Sequence, residues 1–186
     1  MIGLFFEVTP LEGHAENYFN LAALLRPELE RSGGVEFIDR YRSIDRPGVI
    51  LSHQWWADEE ALVRWRQHTQ HRAIQRAGRE QHFADYRLRI GPAVDPVRAR
   101  AVARAVWVSY YDTKPAGPAA GELFESVYRE GKFLVLSDKE PASQAASSDR
   151  KAFEVTRDYG MHGVHFGDDP WASLADIDTL LARDRH

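Results

Sequence analysis

The chain has 186 residues, 44% of them hydrophobic, a net charge of -4 and no cysteine. That length suits one large domain or two small ones, and the apolar content is enough for a buried core. The charge argues against a nucleic-acid partner, the missing cysteines exclude a disulfide framework and thiolate chemistry, and no apolar run reaches the roughly eighteen residues of a membrane-crossing helix. A cysteine-free chain fits a cytoplasmic location. The opening MIGLFFEVTP lacks a basic start and a small-residue cleavage site, so it reads as a strand and not as a leader.

In that first strand Ile2, Leu4, Phe6 and Val8 alternate with Gly3, Phe5, Glu7 and Thr9. Phe5 on the second face predicts that both faces of the sheet are covered. From His14 to Arg31 the spacing of Tyr18, Leu21, Ala22, Leu25 and Leu29 predicts a helix, interrupted by Pro27 and stopped by Gly33-Gly34. Strands are predicted over 35–43 and 49–56, joined by the turn Asp45-Arg46-Pro47-Gly48. Asp58 is placed to cap a second helix running from Glu59 to about Arg79, and Phe83 to Ile90 is a fourth strand. The order β-α-β-β-α-β is that of a ferredoxin-like unit with an antiparallel sheet. Helices cover one face of such a sheet, so the other face needs a partner.

Gly91-Pro92 and Asp95-Pro96 read as a boundary, giving a first domain over 1–92, a linker over 93–103 with a short helix from Val97, and a second module over 104–186. In the second module strands are predicted over 105–111, 133–137 and 152–159, with helices over 119–129 and 171–182 and a polar loop over 139–150. This is a degenerate second ferredoxin-like module of an α+β protein.

The stretches FFEVTPLEGHAENYFNLAALLRPELE, RYRSIDRPGVILSHQWWADEEALVRWRQHTQHRAIQRAGR and FADYRLRI together resemble the antibiotic biosynthesis monooxygenase family of dimeric α+β barrel proteins. The segment Phe153 to Met161 is similar to a C-terminal extension of some members. The resemblance implies several possible activities: cofactor-free oxidation of aromatic polyketides, haem degradation, or no catalysis. In the polyketide-oxidising members a strand tryptophan before an acidic turn lines the cavity, and Trp56 matches it. An asparagine four residues earlier is replaced here by Ser52. Among haem-degrading positions Trp65 matches the helix tryptophan, whereas Phe6 and Gln75 stand for the strand asparagine and the axial histidine. Haem degradation is therefore disfavoured.

Cofactor-free oxygenation needs a base, hydrogen bonds to a substrate anion and a dry pocket. His53 is a candidate base, with Ser52 beside it, although strand alternation turns His53 away from Trp56. Trp56, Trp65 and Phe5 are candidate substrate contacts, with Trp56 expected in the space between two sheets. His68 and His71 lie at i and i+3 and read as surface residues of the second helix. His162 and His165, near Asp168-Asp169, read as polar loop residues. No three-ligand metal cluster and no phosphate-binding glycine loop is present, so no metal or other cofactor is expected. The favoured function is a cofactor-independent monooxygenase acting on a phenolic or quinone-like aromatic molecule with O2. The alternative is a non-catalytic binder of a small hydrophobic ligand, or an assembly module. A homodimer pairing two first modules is expected to cover the open sheet face, with an internal barrel as the competing arrangement.

Overall fold

The computed structural model describes residues 1–116, 120–141 and 147–166. In chain order the elements are β1 (Ile2–Pro10), α1 (Ala15–Ser32), β2 (Val35–Ser43), β3 (Ile50–Trp56), α2 (Glu59–Gln67), α3 (Thr69–Ala77), a π-helical turn (Gly78–His82), β4 (Phe83–Val94), α4 (Pro96–Ala101), β5 (Ala105–Tyr111), β6 (Glu122–Ser126), β7 (Phe133–Ser137), β8 (Asp149–Glu154), β9 (Arg157–Gly160) and β10 (Gly163–Phe166). All strand pairs among the described residues are antiparallel. The strands run β1-β3-β2-β6-β7-β5-β8-β4, and β4 pairs again with β1, so eight strands close a barrel. The first half contributes the order β4-β1-β3-β2 and the second half β8-β5-β7-β6. The two meet at two seams, β2 against β6 and β4 against β8.

Alternation assigns the two faces. Phe5, Tyr41, Leu51, Val106, Val108, Phe124, Leu134 and Phe153 point inward and fill the barrel. Leu4, Trp56 and Ile90 point outward and meet Leu29 of α1 and Leu62 and Trp65 of α2. The open sheet face that suggested a second copy of the chain is thus filled by β5 to β8 of the same chain. Phe153 enters the barrel where Gly3 has no side chain: a Cβ there would lie 2.4 Å from its ring. The β2–β6 seam is held by Asp39, which is 2% exposed. Its carboxylate accepts from Ser126 Oγ at 2.8 Å and from Arg129 Nη2 at 2.6 Å.

Several expectations need correction. The stretch predicted as a helix over 119–129 contains strand β6. Leu123 and Phe124 pack on opposite faces, one outside and one in the barrel core, and a short apolar run does not by itself distinguish helix from strand. Gly91-Pro92 lie inside β4 and mark no boundary. The expected helix from Glu59 to Arg79 is broken at His68, whose extended backbone (φ -61°, ψ 125°) ends α2 and starts α3. The predicted strand over 152–159 is split between β8 and β9 at Val155-Thr156, where the Thr156 N–H bonds Ile90 O at 2.9 Å. The helix predicted over 171–182 lies outside the described residues. Among the described residues no helix is long and apolar enough to cross a membrane.

Candidate functional site

The cavity lies between the outer face of the first-half sheet and the layer formed by α1, α2 and α3. Its volume is about 170 Å³. Strand register fixes its floor. Arg40 of β2 is level with Ser52 of β3, Ser52 with Phe6 of β1, Phe6 with Leu88 of β4, and Leu88 with Tyr159 of β9. All five side chains line the cavity. Leu21 and Leu25 of α1, Leu62 and Trp65 of α2, and His71, Ile74 and Gln75 of α3 form the opposite wall.

The helices reach this position for local reasons. Asp58 caps α2 by accepting from the Ala61 N–H at 2.8 Å, and Glu59 and Glu60 occupy its first turn. The break at His68 turns α3 so that His71 comes back beneath α2. The Trp65 ring stacks on both His71 (4.5 Å, 24°) and His68 (5.4 Å, 28°). His71 Nδ1 lies 3.0 Å from the Trp65 carbonyl. A carbonyl only accepts, so Nδ1 carries the proton and Nε2 keeps its lone pair. Burial lowers the His71 pKa to about 4, which keeps the ring neutral at physiological pH. His71 is therefore a wall residue of the cavity and not the surface residue that helical spacing suggested. His68 fits that expectation better, lying 3.6 Å from Glu28.

Polar groups on the floor are few. The Trp56 indole donates to Gln54 Oε1 at 3.0 Å, and Gln54 Nε2 donates to Ser52 Oγ at 3.1 Å. Ser52 accepts in that chain, so its own proton is available to a ligand. Arg40 is 9% exposed. Its Nε has no hydrogen-bond partner, and among the described residues no carboxylate pairs with its guanidinium. The Tyr18 ring lies 6.0 Å from the guanidinium carbon. Tyr159, 2% exposed, also buries its hydroxyl without a hydrogen bond. Burial raises the pKa of that phenol, opposed by the charge of Arg157.

Of the residues singled out from sequence, Ser52 and Trp65 line the cavity, whereas Trp56, Phe5 and His53 do not. Trp56 is fully buried beneath the helices, not in the space between the sheet halves, and it reaches the site only through Gln54. It is Trp55 that turns toward the barrel interior. Phe5 stacks on His53 inside the barrel, with ring centroids 4.5 Å apart. His53 Nδ1 donates to Leu4 O at 3.2 Å, and Nε2 accepts from the Tyr110 hydroxyl at 2.7 Å and from the Trp55 indole at 3.0 Å. With both nitrogens engaged and no contact with the cavity, His53 is not placed to act as a base there. His162 is exposed; the side chain of His165 and residues 168–169 lie outside the described set. Among the described residues no cluster of three metal-ligating side chains occurs.

Burial lowers the His53 pKa to about 3. An unfolded histidine titrates near 6.5, so between those values the unfolded chain takes up a proton that the fold refuses. The stability contributed by a neutral His53 is complete above about pH 6.5 and is lost as the pH falls toward 3. His71 acts in the same direction. The urea midpoint is expected to fall between pH 7 and pH 5, and His53→Gln is expected to flatten that slope. Equal midpoints at both pH values for the wild-type protein would contradict the burial of a neutral imidazole.

The antibiotic biosynthesis monooxygenase family model matches residues 1–77. A protein of Pyricularia oryzae named jasmonate monooxygenase is 29% identical over 202 aligned residues, spanning 87% of this chain and 94% of that protein. A solved structure from Pseudomonas aeruginosa is 17% identical, covering 50% of this chain and 94% of that one with a TM-score of 0.45. One from Lactobacillus acidophilus is 8% identical, covering 90% and 99%, also with a TM-score of 0.45. β1 to α3, which supply the Arg40, Ser52 and Phe6 part of the floor and the helical wall, coincide with the span that matches the antibiotic biosynthesis monooxygenase model.

Proposed function

We propose that this chain is a monooxygenase that oxidises a small, largely apolar molecule in the cavity beneath α1 to α3, using O2 and no added cofactor. The observation that carries the reading is the cavity itself, an apolar chamber lined mostly by the family-matched span with a few polar groups at set positions. The activity named for the Pyricularia oryzae relative supports the same reading.

The substrate class is a phenol, a quinone precursor or a related cyclic ketone, because such molecules lose a proton to give a delocalised anion. That anion can pass an electron to O2, and recombination of the radical pair gives a peroxide. Loss of water from the peroxide leaves a carbonyl where a methylene stood, so one methylene group and one O2 become one carbonyl group and one water. One oxygen atom stays in the product, and the substrate supplies the electrons. Neutral His71 is a wall imidazole with a lone pair to receive the first proton; burial makes it a weak base, so the transfer depends on stabilising the substrate anion at the same time. The Ser52 hydroxyl is placed to donate to the oxygen on which the negative charge gathers. The apolar lining limits the water that would quench the peroxide.

Oxygen uptake with anthrones, naphthols and jasmonic acid tests this. The expected result is one O2 consumed per substrate, with a product heavier by one oxygen less two hydrogens. Tight binding without O2 consumption across the panel would replace this reading with that of a ligand-binding module. Uptake that appears only with added flavin and NADH would remove its cofactor-free part.

A further inference from the structure

We propose that Arg40 is an anion-binding residue, and that the molecule this cavity takes is an apolar compound carrying a carboxylate. This rests on the reading that the cavity is the substrate site.

Strand alternation places Arg40 on the opposite face of β2 from Asp39. The Asp39 carboxylate faces the barrel side and is engaged there by Ser126 and Arg129, so it gives the Arg40 guanidinium nothing. The Arg40 main chain is satisfied separately, its N–H by Asp39 Oδ1 at 2.8 Å and its carbonyl by the Val127 N–H at 2.7 Å. Among the described residues the side chain is left as a buried cation on the cavity floor without a counter-charge.

Two other arginines around the same cavity differ: Arg26 is paired with Glu30, and Arg157 with Glu59. A buried unpaired charge is expensive, and a chain that keeps one at a cavity wall leaves its partner to be supplied by the ligand. A guanidinium edge offers two N–H groups in the geometry of two carboxylate oxygens. The remaining floor favours a monoanion with an apolar body over a phosphate: Phe6 and Leu88 follow Ser52 in the same row, and no glycine-rich loop is among the lining. The row crosses five strands, a path of roughly 19 Å along the curved sheet from Arg40 to Tyr159 at the usual strand spacing. The carboxylate would sit at the Arg40 end, and the apolar body would extend over Phe6 and Leu88.

Calorimetric titration of jasmonic acid, 1-naphthoic acid and their methyl esters tests the assignment on wild-type protein, Arg40→Met and Arg40→Lys. The wild type is expected to bind at least one acid ten times or more tighter than its ester. Arg40→Met should lose that preference by weakening the acid while leaving the ester unchanged, and Arg40→Lys should keep part of it. Arg40→Met should also melt at or above the wild-type temperature, since it removes an unpaired buried charge. No acid preference in the wild type, no binding of either acid, or an equal weakening of acid and ester in Arg40→Met would overturn the assignment. If Arg40→Met does not fold, Arg40→Lys decides: an acid preference equal to wild type, or an equal loss for acid and ester, overturns it. Acid preference without O2 uptake would leave Arg40 as the anion site and remove the monooxygenase reading. Uptake without acid preference would do the reverse.

Discussion

Gly91→Ala is expected to abolish stable folding. Gly91 sits in β4 directly opposite Gly3 of β1. A Cβ at Gly91 would lie 1.6 Å from the Glu154 carbonyl oxygen and 2.7 Å from its carbon. Those are backbone atoms and cannot rotate away. They belong to the break between β8 and β9, held to β4 by the Thr156 N–H on Ile90 O and to the start of β5 by the Val155 N–H on Arg104 O. Making room for one methyl group therefore means moving the strand that closes the barrel. The loss should exceed about 4 kcal/mol, beyond what an ordinary core substitution costs. Gly13→Ala is the control: Gly13 has φ +77° but open space around it, so only backbone strain of about 1 kcal/mol applies. Urea denaturation followed by circular dichroism measures both. A Gly91→Ala protein within about 1 kcal/mol of wild type would show that closure at this seam is not what the fold depends on.

Trp65→Ala should remove ligand binding and cost stability at the same time. Trp65 is 5% exposed, packs with Leu62, Leu29 and Trp56 in the layer under the helices, and stacks on the rings of His68 and His71. Deleting a buried tryptophan costs about 3–5 kcal/mol. It also takes away the surface that orients His71, so turnover per folded molecule should fall tenfold or more. Trp65→Phe keeps a stacking face and should recover much of the stability. Turnover that follows only the folded fraction in Trp65→Ala would make this tryptophan ordinary core.

The first half of the fold was legible because its signals are local. The alternation in β1, the apolar stripe of α1, the turn at Asp45-Gly48 and the Asp58 cap each identify an element without reference to the rest of the chain. The site was less legible because its faces are set by distant partners. Alternation says that Trp55 and Trp56 point opposite ways, but which one meets the helices depends on the side over which α1 and α2 cross. Arg40 reads as one more charge in VEFIDRYRS. Its burial appears only when α1 and α3 close over it. A usable signal did exist: pairing β2 and β3 about the Asp45-Gly48 turn sets Arg40 level with Ser52, four residues before Trp56. Helical spacing misplaces His71 because it presumes an unbroken helix, and the extended backbone at His68 has no proline or glycine to announce it. In the second half Leu123, Phe124 and Val127 satisfy helical spacing and strand spacing alike.

Closing the barrel within one polypeptide makes the order of synthesis matter. The helix-bearing strands leave the ribosome first, with Phe5, Tyr41 and Leu51 facing nothing until β5 to β8 follow. During that interval the nascent chain shows a wide apolar sheet and two unpaired strand edges, β2 and β4, which are surfaces that invite association. Another nascent copy can occupy the same face, and its later strands can then complete the neighbour's barrel in place of its own. Rapid overproduction should therefore yield interlocked dimers beside single-chain barrels. Slower translation, or a holding chaperone bound to that transient face, should shift the yield toward chains that close on themselves.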